Sequence, residues 1–205
     1  MPPGGDDPGR GADADGPQLT RRQQWERIGV LTDRVSSTCL VTDLPGLGEP
    51  GRPVDLTWHD LDRGPCFPAD QTVLVCENPR VLEAALELGI TDIGVACTSG
   101  RPALIVIEVL HRLSAAGARL LYHGDFDWPG ISMANDLVTR IGVHPWRMSA
   151  ADYLSIPGRI PLAGSRVEAL WDAELAPAMA HRDLAVHEEA ALPQLLLDLR
   201  TQAAR

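Results

Sequence analysis

The stretch Arg119-Leu-Leu-Tyr-His-Gly-Asp-Phe-Asp-Trp-Pro-Gly-Ile131 decides how the chain is read. Leu120 to Tyr122 is a short apolar run of the kind that forms a buried strand. The run stops at two aspartates, Asp125 and Asp127, one residue apart. In an extended chain, residues two apart point to the same side. The two carboxylates therefore meet at one point beyond the strand, where oxygen donors suit a hard divalent cation such as Mg²⁺. Pro129 then suits the first position of a helix, with Ile131, Ala134, Leu137, Val138 and Ile141 as its apolar stripe and Gly142 at its end.

Working outward, the same strand-then-helix grammar repeats. Thr72 to Cys76 is a continuous apolar run, as expected of a strand buried on both faces. Glu77 follows it, then Asn78 as a helix cap and Pro79 as the first helical residue. Ile93 to Cys97 is a second strand. The loop Thr98-Ser-Gly-Arg101 leads to a helix opening at Pro102 and ending at Gly117. Val143 to Met148 reads as a fourth strand, placed at a sheet edge because Pro145 lacks an N–H to donate. Alternation of this kind from about 71 to 148 predicts an α/β fold, a parallel sheet with flanking helices. Ligands bind such sheets at the carboxyl ends of the strands. Glu77, the loop 98–101, and Asp125 with Asp127 all fall there.

The rest is less regular. Residues 1–18 are rich in Gly, Pro and Asp, with little to bury, and are expected to be disordered. Residues 19–70 hold a short helix from Thr20 to Gly29, a strand within Val35 to Val41, and a segment after Thr57 with that residue as cap. They read as the remnant of an upstream region, leaving 71–200 as the main domain. Trp171, Leu175 and Met179 have helical spacing. A final helix starts near His187-Glu188-Glu189, with acids in its first turn.

Composition limits the function classes. The 205 residues carry a net charge of −10, with no lysine. Such a chain does not advertise nucleic-acid binding by itself, because phosphate contacts need basic side chains. The cysteines Cys39, Cys66, Cys76 and Cys97 lack zinc spacing, and those in apolar runs are expected to be buried thiols. There is no signal-peptide pattern and no run of 18 apolar residues, so a cytoplasmic location with no membrane association is expected. A phosphatase of the haloacid-dehalogenase type also uses Asp-x-Asp after a strand, but it needs a later lysine.

Each acidic signal has a plain structural alternative. Asp127 lies where it can cap the following helix, and Glu77 alone can face solvent. Glu188 and Glu189 suit the N-terminus of the last helix. The order strand–Glu77, strand, strand–Asp125-x-Asp127 on one sheet edge gives the combination its weight.

That order resembles the Toprim domain over about 70–148. The longer wording resembles the JetD nuclease subunit of Wadjet systems over roughly 20–200. It comprises Glu77-Asn-Pro, Tyr122-His-Gly-Asp-Phe-Asp-Trp-Pro-Gly-Ile131, Pro145-Trp-Arg-Met148, Ala151-Asp-Tyr153, Trp171-Asp172 and Val186-His-Glu-Glu189. JetD is similar in turn to the A subunit of topoisomerase VI. The resemblance implies a Toprim-like fold and Mg²⁺- or Mn²⁺-dependent cleavage of double-stranded plasmid DNA. It implies work inside a complex with an SMC-type ATPase, kleisin and associated subunits, with a homodimer as the family's arrangement. It also implies an upstream winged-helix-like DNA-binding region, of which at most the stretch 20–65 is present. A docking scaffold unable to cut alone is the alternative reading. In the implied site, Asp125 and Asp127 are metal ligands, and Glu77 is a ligand or a general base. Glu188 and Glu189 are candidates for a second metal position, and His123, Ser99, Gly100 and Arg101 for phosphate contact. Tyr122 and Tyr153 are not expected to be nucleophiles.

Overall fold

The computed structural model describes residues 21–203 apart from 31, 32, 66 and 68. The expected disordered tail 1–18 and Cys66 lie outside the described residues. Helix α1 (Arg21–Arg27) belongs to a first compact unit, Met1–Asp33, and is followed by Gly29 at φ +83°. The second unit spans Arg34–Arg205.

Its elements alternate in the order β1 (Thr38–Thr42), β2 (Val54–Thr57), α2 (Trp58–Asp62), β3 (Thr72–Cys76), α3 (Pro79–Glu87), β4 (Gly94–Cys97), α4 (Leu104–Ala115), β5 (Arg119–Tyr122), α5 (Trp128–Ile141) and β6 (His144–Pro145). All six strands form one sheet in the order β2-β1-β4-β3-β5-β6. The pairs β4–β3, β3–β5 and β5–β6 are parallel, and β1 runs antiparallel to both β4 and β2. Segments from the stretch set apart as 19–70 thus extend the same sheet. Pro145 sits on an edge strand, where its missing N–H costs no ladder bond.

Side-chain alternation assigns the faces. Val73, Val75, Leu120 and Tyr122 point to a core shared with Ile105, Val109 and Leu113 of α4 and Ile131, Ala134 and Leu137 of α5. Leu74, Cys76, Val95 and Cys97 point the other way, to Val81, Leu82 and Ala85 of α3. Each such buried apolar side chain contributes about 1.5–3 kcal/mol. Apolar residues on both faces explain why these strands read as unbroken apolar runs.

The chain then adds α6 (Ala150–Ser155), β7 (Ile160–Pro161), α7 (Leu175–Arg182), β8 (Leu184–Ala185) and α8 (Glu188–Ala203). Strands β7 and β8 pair antiparallel as a separate two-stranded sheet. Helix α7 begins at Leu175, so Trp171 precedes it rather than sharing its stripe. Its indole Nε1–H donates to the Met148 carbonyl at 2.7 Å. Leu199 of α8 joins the α3 face of the sheet. No helix among the described residues is long and apolar enough to cross a membrane.

One topological fact places the site. From β3 the chain adds β4 on one side, then crosses through α4 to add β5 on the other. The connections diverge at the carboxyl ends of β3 and β5. In doubly wound sheets that switch point opens a crevice.

Candidate metal centre

The carboxyl end of β5 is extended by a bridge to a distant segment. Phe126 and Val186 exchange backbone hydrogen bonds in antiparallel fashion, Phe126 N–H to Val186 O at 2.8 Å and Val186 N–H to Phe126 O at 3.2 Å. With that pair in register, Asp125 lies across from His187, and Asp127 shares the face of Asp125 two residues on. The result is a compact donor set. One ligand atom each from Asp125, Asp127 and His187 all lie within 4.8 Å of one another, the three side chains being half-buried.

Backbone amides hold the two aspartates. Asp125 Oδ1 accepts from Glu188 N–H at 2.7 Å. Asp127 is the N-cap of α5 and accepts from Gly130 N–H through Oδ1 at 2.6 Å. The capping role is real, but it uses one oxygen, and a carboxylate has a second to offer. Gly130 is required for close approach: a Cβ there would lie 2.3 Å from the Asp125 carbonyl oxygen.

Glu77, at the end of β3, faces the pair from the other side of the switch point. Its Oε2 accepts from Asp125 N–H at 3.3 Å. Burial, and then the charge of Asp125, push its carboxyl up to about 7. Asp125 is raised as well, with burial the main cause. Glu188 is almost fully buried, and its carboxylate accepts from the backbone N–H groups of Glu77 at 3.1 Å and Asn78 at 2.6 Å. Burial raises it despite those bonds. Glu188 thus ties the two strand ends together: its side chain holds the end of β3 and its N–H holds Asp125.

Among the described residues no arginine forms an ion pair with Glu77, Asp125 or Asp127. The buried Tyr122 hydroxyl has no hydrogen-bond partner. A Cβ built on Gly124 would meet Tyr122 Oη at 2.4 Å and Glu77 Oε2 at 3.1 Å, so both crowd against this glycine. His187 and backbone N–H groups are the only groups that offset these carboxylates among the described residues, and carboxylate oxygens with an imidazole are donors that could hold a divalent ion.

The other sequence candidates fall in different places. His123 is not at the surface: it is fully buried, and its Nδ1 lies 3.0 Å from the Trp146 carbonyl. Its ring packs edge-on to Phe126, and burial lowers its pKa to about 4. It is a buried histidine held toward β6 through Nδ1, while its Nε2 has no hydrogen-bond partner among the described residues. The expectation assumed that an extended strand would carry it to the side of Asp125. Instead the β6 side claims it. Gly100 is also committed, its N–H donating to Glu77 O at 3.1 Å. Ser99 is exposed in a left-handed conformation (φ +54°), its hydroxyl lying 3.7 Å from Cys97 Sγ. Helix α4 begins at Leu104, after Ala103, so its N-terminus is not formed by residues 99–101. Asn78 is a cap, accepting from Arg80 N–H at 2.9 Å, and its Nδ2 donates to the exposed Glu189. With Glu188 bonded to backbone and Glu189 to Asn78, neither belongs to the three-donor group. Trp128 is a core residue, and Tyr153 donates its hydroxyl to Leu184 O at 2.6 Å.

Two depressions open beside the centre. One, of about 480 Å³, is lined by Glu77, Arg101, Ser132, Met133 and Arg140 among others. The other, of about 420 Å³, includes Arg159, His187 and Glu189. Arg101 and Arg159 are exposed, while Arg140 is paired with Asp136 at 2.8 Å. Each depression thus carries one exposed arginine beside acidic side chains, Arg101 with Glu77 and Arg159 with Glu189.

His187 was not singled out from sequence. Its local signal, a histidine just before a helix that opens with two acids, is ordinary. Only the pairing of Phe126 with Val186 brings it to Asp125.

The sheet order and the acids at its switch point define an α/β protein of the Toprim-like class. The chain belongs to the family described as "Protein of unknown function C-terminus (DUF2399)", which matches residues 54–199. No curated protein matches it.

Proposed function

We propose that this protein is a metal-dependent DNA endonuclease subunit that hydrolyses phosphodiester bonds inside an SMC-type anti-plasmid complex. The observation that carries the reading is the convergence of Asp125, Asp127 and His187 within 4.8 Å, at a switch point faced by Glu77. The resemblance to JetD supplies the substrate and partners: plasmid DNA, an SMC-type ATPase, a kleisin and associated subunits, with a second copy of the chain.

Asp125 and Asp127 would hold Mg²⁺ or Mn²⁺ through the oxygens that their backbone hydrogen bonds leave available. When bound, such an ion activates water and stabilises the leaving oxygen of a phosphodiester. Glu77 stands against the Asp125 backbone, placed to bind the same hydrated ion or to orient the attacking water. Glu188 positions Glu77 and Asp125 from behind. Arg101 and Arg159 are placed at the rims to meet the flanking phosphates.

The scaffold alternative draws on one observation, the net charge of −10. Phosphate contacts sufficient to hold a duplex must then come from elsewhere in the assembly. Supercoiled plasmid incubated with the reconstituted complex and Mn²⁺ separates the readings. Nicking or linearisation that disappears with Asp125→Asn supports the nuclease. Complex assembly with no cleavage, or cleavage indifferent to Asp125→Asn, supports the scaffold.

A further inference from the structure

We infer that His187 is the third protein ligand of the metal, and that it biases the centre toward Mn²⁺ over Mg²⁺. This rests on the metal-site reading above and adds to it the ligand set and its selectivity.

The geometry is specific. His187 is fixed by backbone on both sides of the bridge: Val186 pairs with Phe126, and Glu188 N–H donates to Asp125 Oδ1 at 2.7 Å. Its carbonyl accepts from Ala190 N–H at 2.9 Å, which starts α8 directly behind it. The imidazole is thus presented across from Asp125 by a braced backbone. A ring nitrogen lies within 4.8 Å of oxygens from both aspartates. An imidazole this close to two carboxylates, none of the three ion-paired to an arginine among the described residues, is a two-oxygen, one-nitrogen donor set. The buried Tyr122 hydroxyl, which has no hydrogen-bond partner among the described residues, lies close to Glu77 at the edge of this group.

Ligand type then decides selectivity. Mg²⁺ favours oxygen donors and keeps most of its water. Imidazole suits transition ions, and Mn²⁺, as a first-row transition ion, accepts a nitrogen donor more readily than the harder, more strongly hydrated Mg²⁺. Replacing one oxygen donor by a nitrogen therefore costs Mg²⁺ more than Mn²⁺. No other histidine can play this part by the same route: His123 has Nδ1 on the Trp146 carbonyl and is sealed in the core.

Pulsed EPR of the full chain loaded with Mn²⁺ tests this directly, because ¹⁴N modulation reports a metal-bound imidazole. The expected result is ¹⁴N coupling in the wild type that vanishes in His187→Gln while Mn²⁺ still binds. In titrations, His187→Asp should narrow the Mn²⁺-to-Mg²⁺ affinity ratio on the order of tenfold. Asp125-dependent Mn²⁺ binding without ¹⁴N coupling would overturn the His187 assignment and leave the metal site standing. Mn²⁺ binding unaffected by both Asp125→Asn and Asp127→Asn would overturn the site itself, and the inference with it. Circular dichroism of each variant checks that the fold is retained.

Discussion

Asp125 carries two loads, and they pull in opposite directions. Its Oδ1 stitches the β5 extension to Glu188, which stabilises the fold. Its charge sits half-buried beside Glu77, which destabilises the metal-free protein. Asp125→Asn keeps an oxygen to accept from Glu188 N–H and removes the charge. Without metal, this variant should be more stable than the wild type, read as a higher urea midpoint, because burial already disfavours the Asp125 charge. Added Mn²⁺ should stabilise the wild type and leave the variant unmoved, since only a folded state with an intact site gains from ligand. A variant less stable than the wild type in both conditions would mean that the carboxylate is purely structural.

His123 gives the residue scale a pH signature. Its pKa is held at about 4 in the fold against an ordinary 6.5. Between those values the unfolded chain binds the proton and the native one does not, so stability rises with pH across that window. The contribution is present above about 6.5 and is lost as pH falls toward 4. Between pH 7 and pH 5 it amounts to about 2 kcal/mol. The stability difference between wild type and His123→Asn, from urea titrations at the two pH values, should shrink by that amount at pH 5. A difference independent of pH would show that the ring is not sealed.

At the scale of elements, the turn from β5 to α5 tolerates no side chain at Gly130. Gly130→Ala places a Cβ against the Asp125 carbonyl, a backbone atom that cannot step aside without moving both aspartates. The expected cost is about 2 kcal/mol, with Mn²⁺ affinity lost alongside it, measured by denaturant titration and calorimetry. Wild-type values for both would contradict the packing described here. Locally encoded elements were legible in the sequence. The Asn78 and Thr57 caps, the Pro145 edge position and the strand beneath Glu77 all follow from propensity and pattern. Pairings across long separations were not legible. The antiparallel addition of β1 to β4 leaves only a short mixed run at Thr38–Thr42. The Phe126–Val186 bridge joins segments 60 residues apart and has no local trace. Val186-His-Glu-Glu189 stands in the family wording, but the place of His187 beside Asp125 and the positioning role of Glu188 are not legible there; the burial of His123 is likewise set by β6 rather than by the local alternation.

At the scale of the whole molecule, the sheet brings two strand ends to one switch point and the last third of the chain closes over it. Tyr153 bonds to Leu184 O, Arg182 lies 5.1 Å from the Tyr153 ring, and Arg147 reaches Asp198 at 2.7 Å. These contacts hold β8 and α8, and so His187 and Glu188, in place against the sheet. Cleavage of plasmid by the reconstituted complex is the most direct test of the central claim that this edge is a metal-dependent phosphodiesterase centre. Linear or nicked plasmid is expected with Mn²⁺, none with chelator, and none with Asp125→Asn or Glu77→Gln in an otherwise assembled complex. Full cleavage by both variants would contradict it.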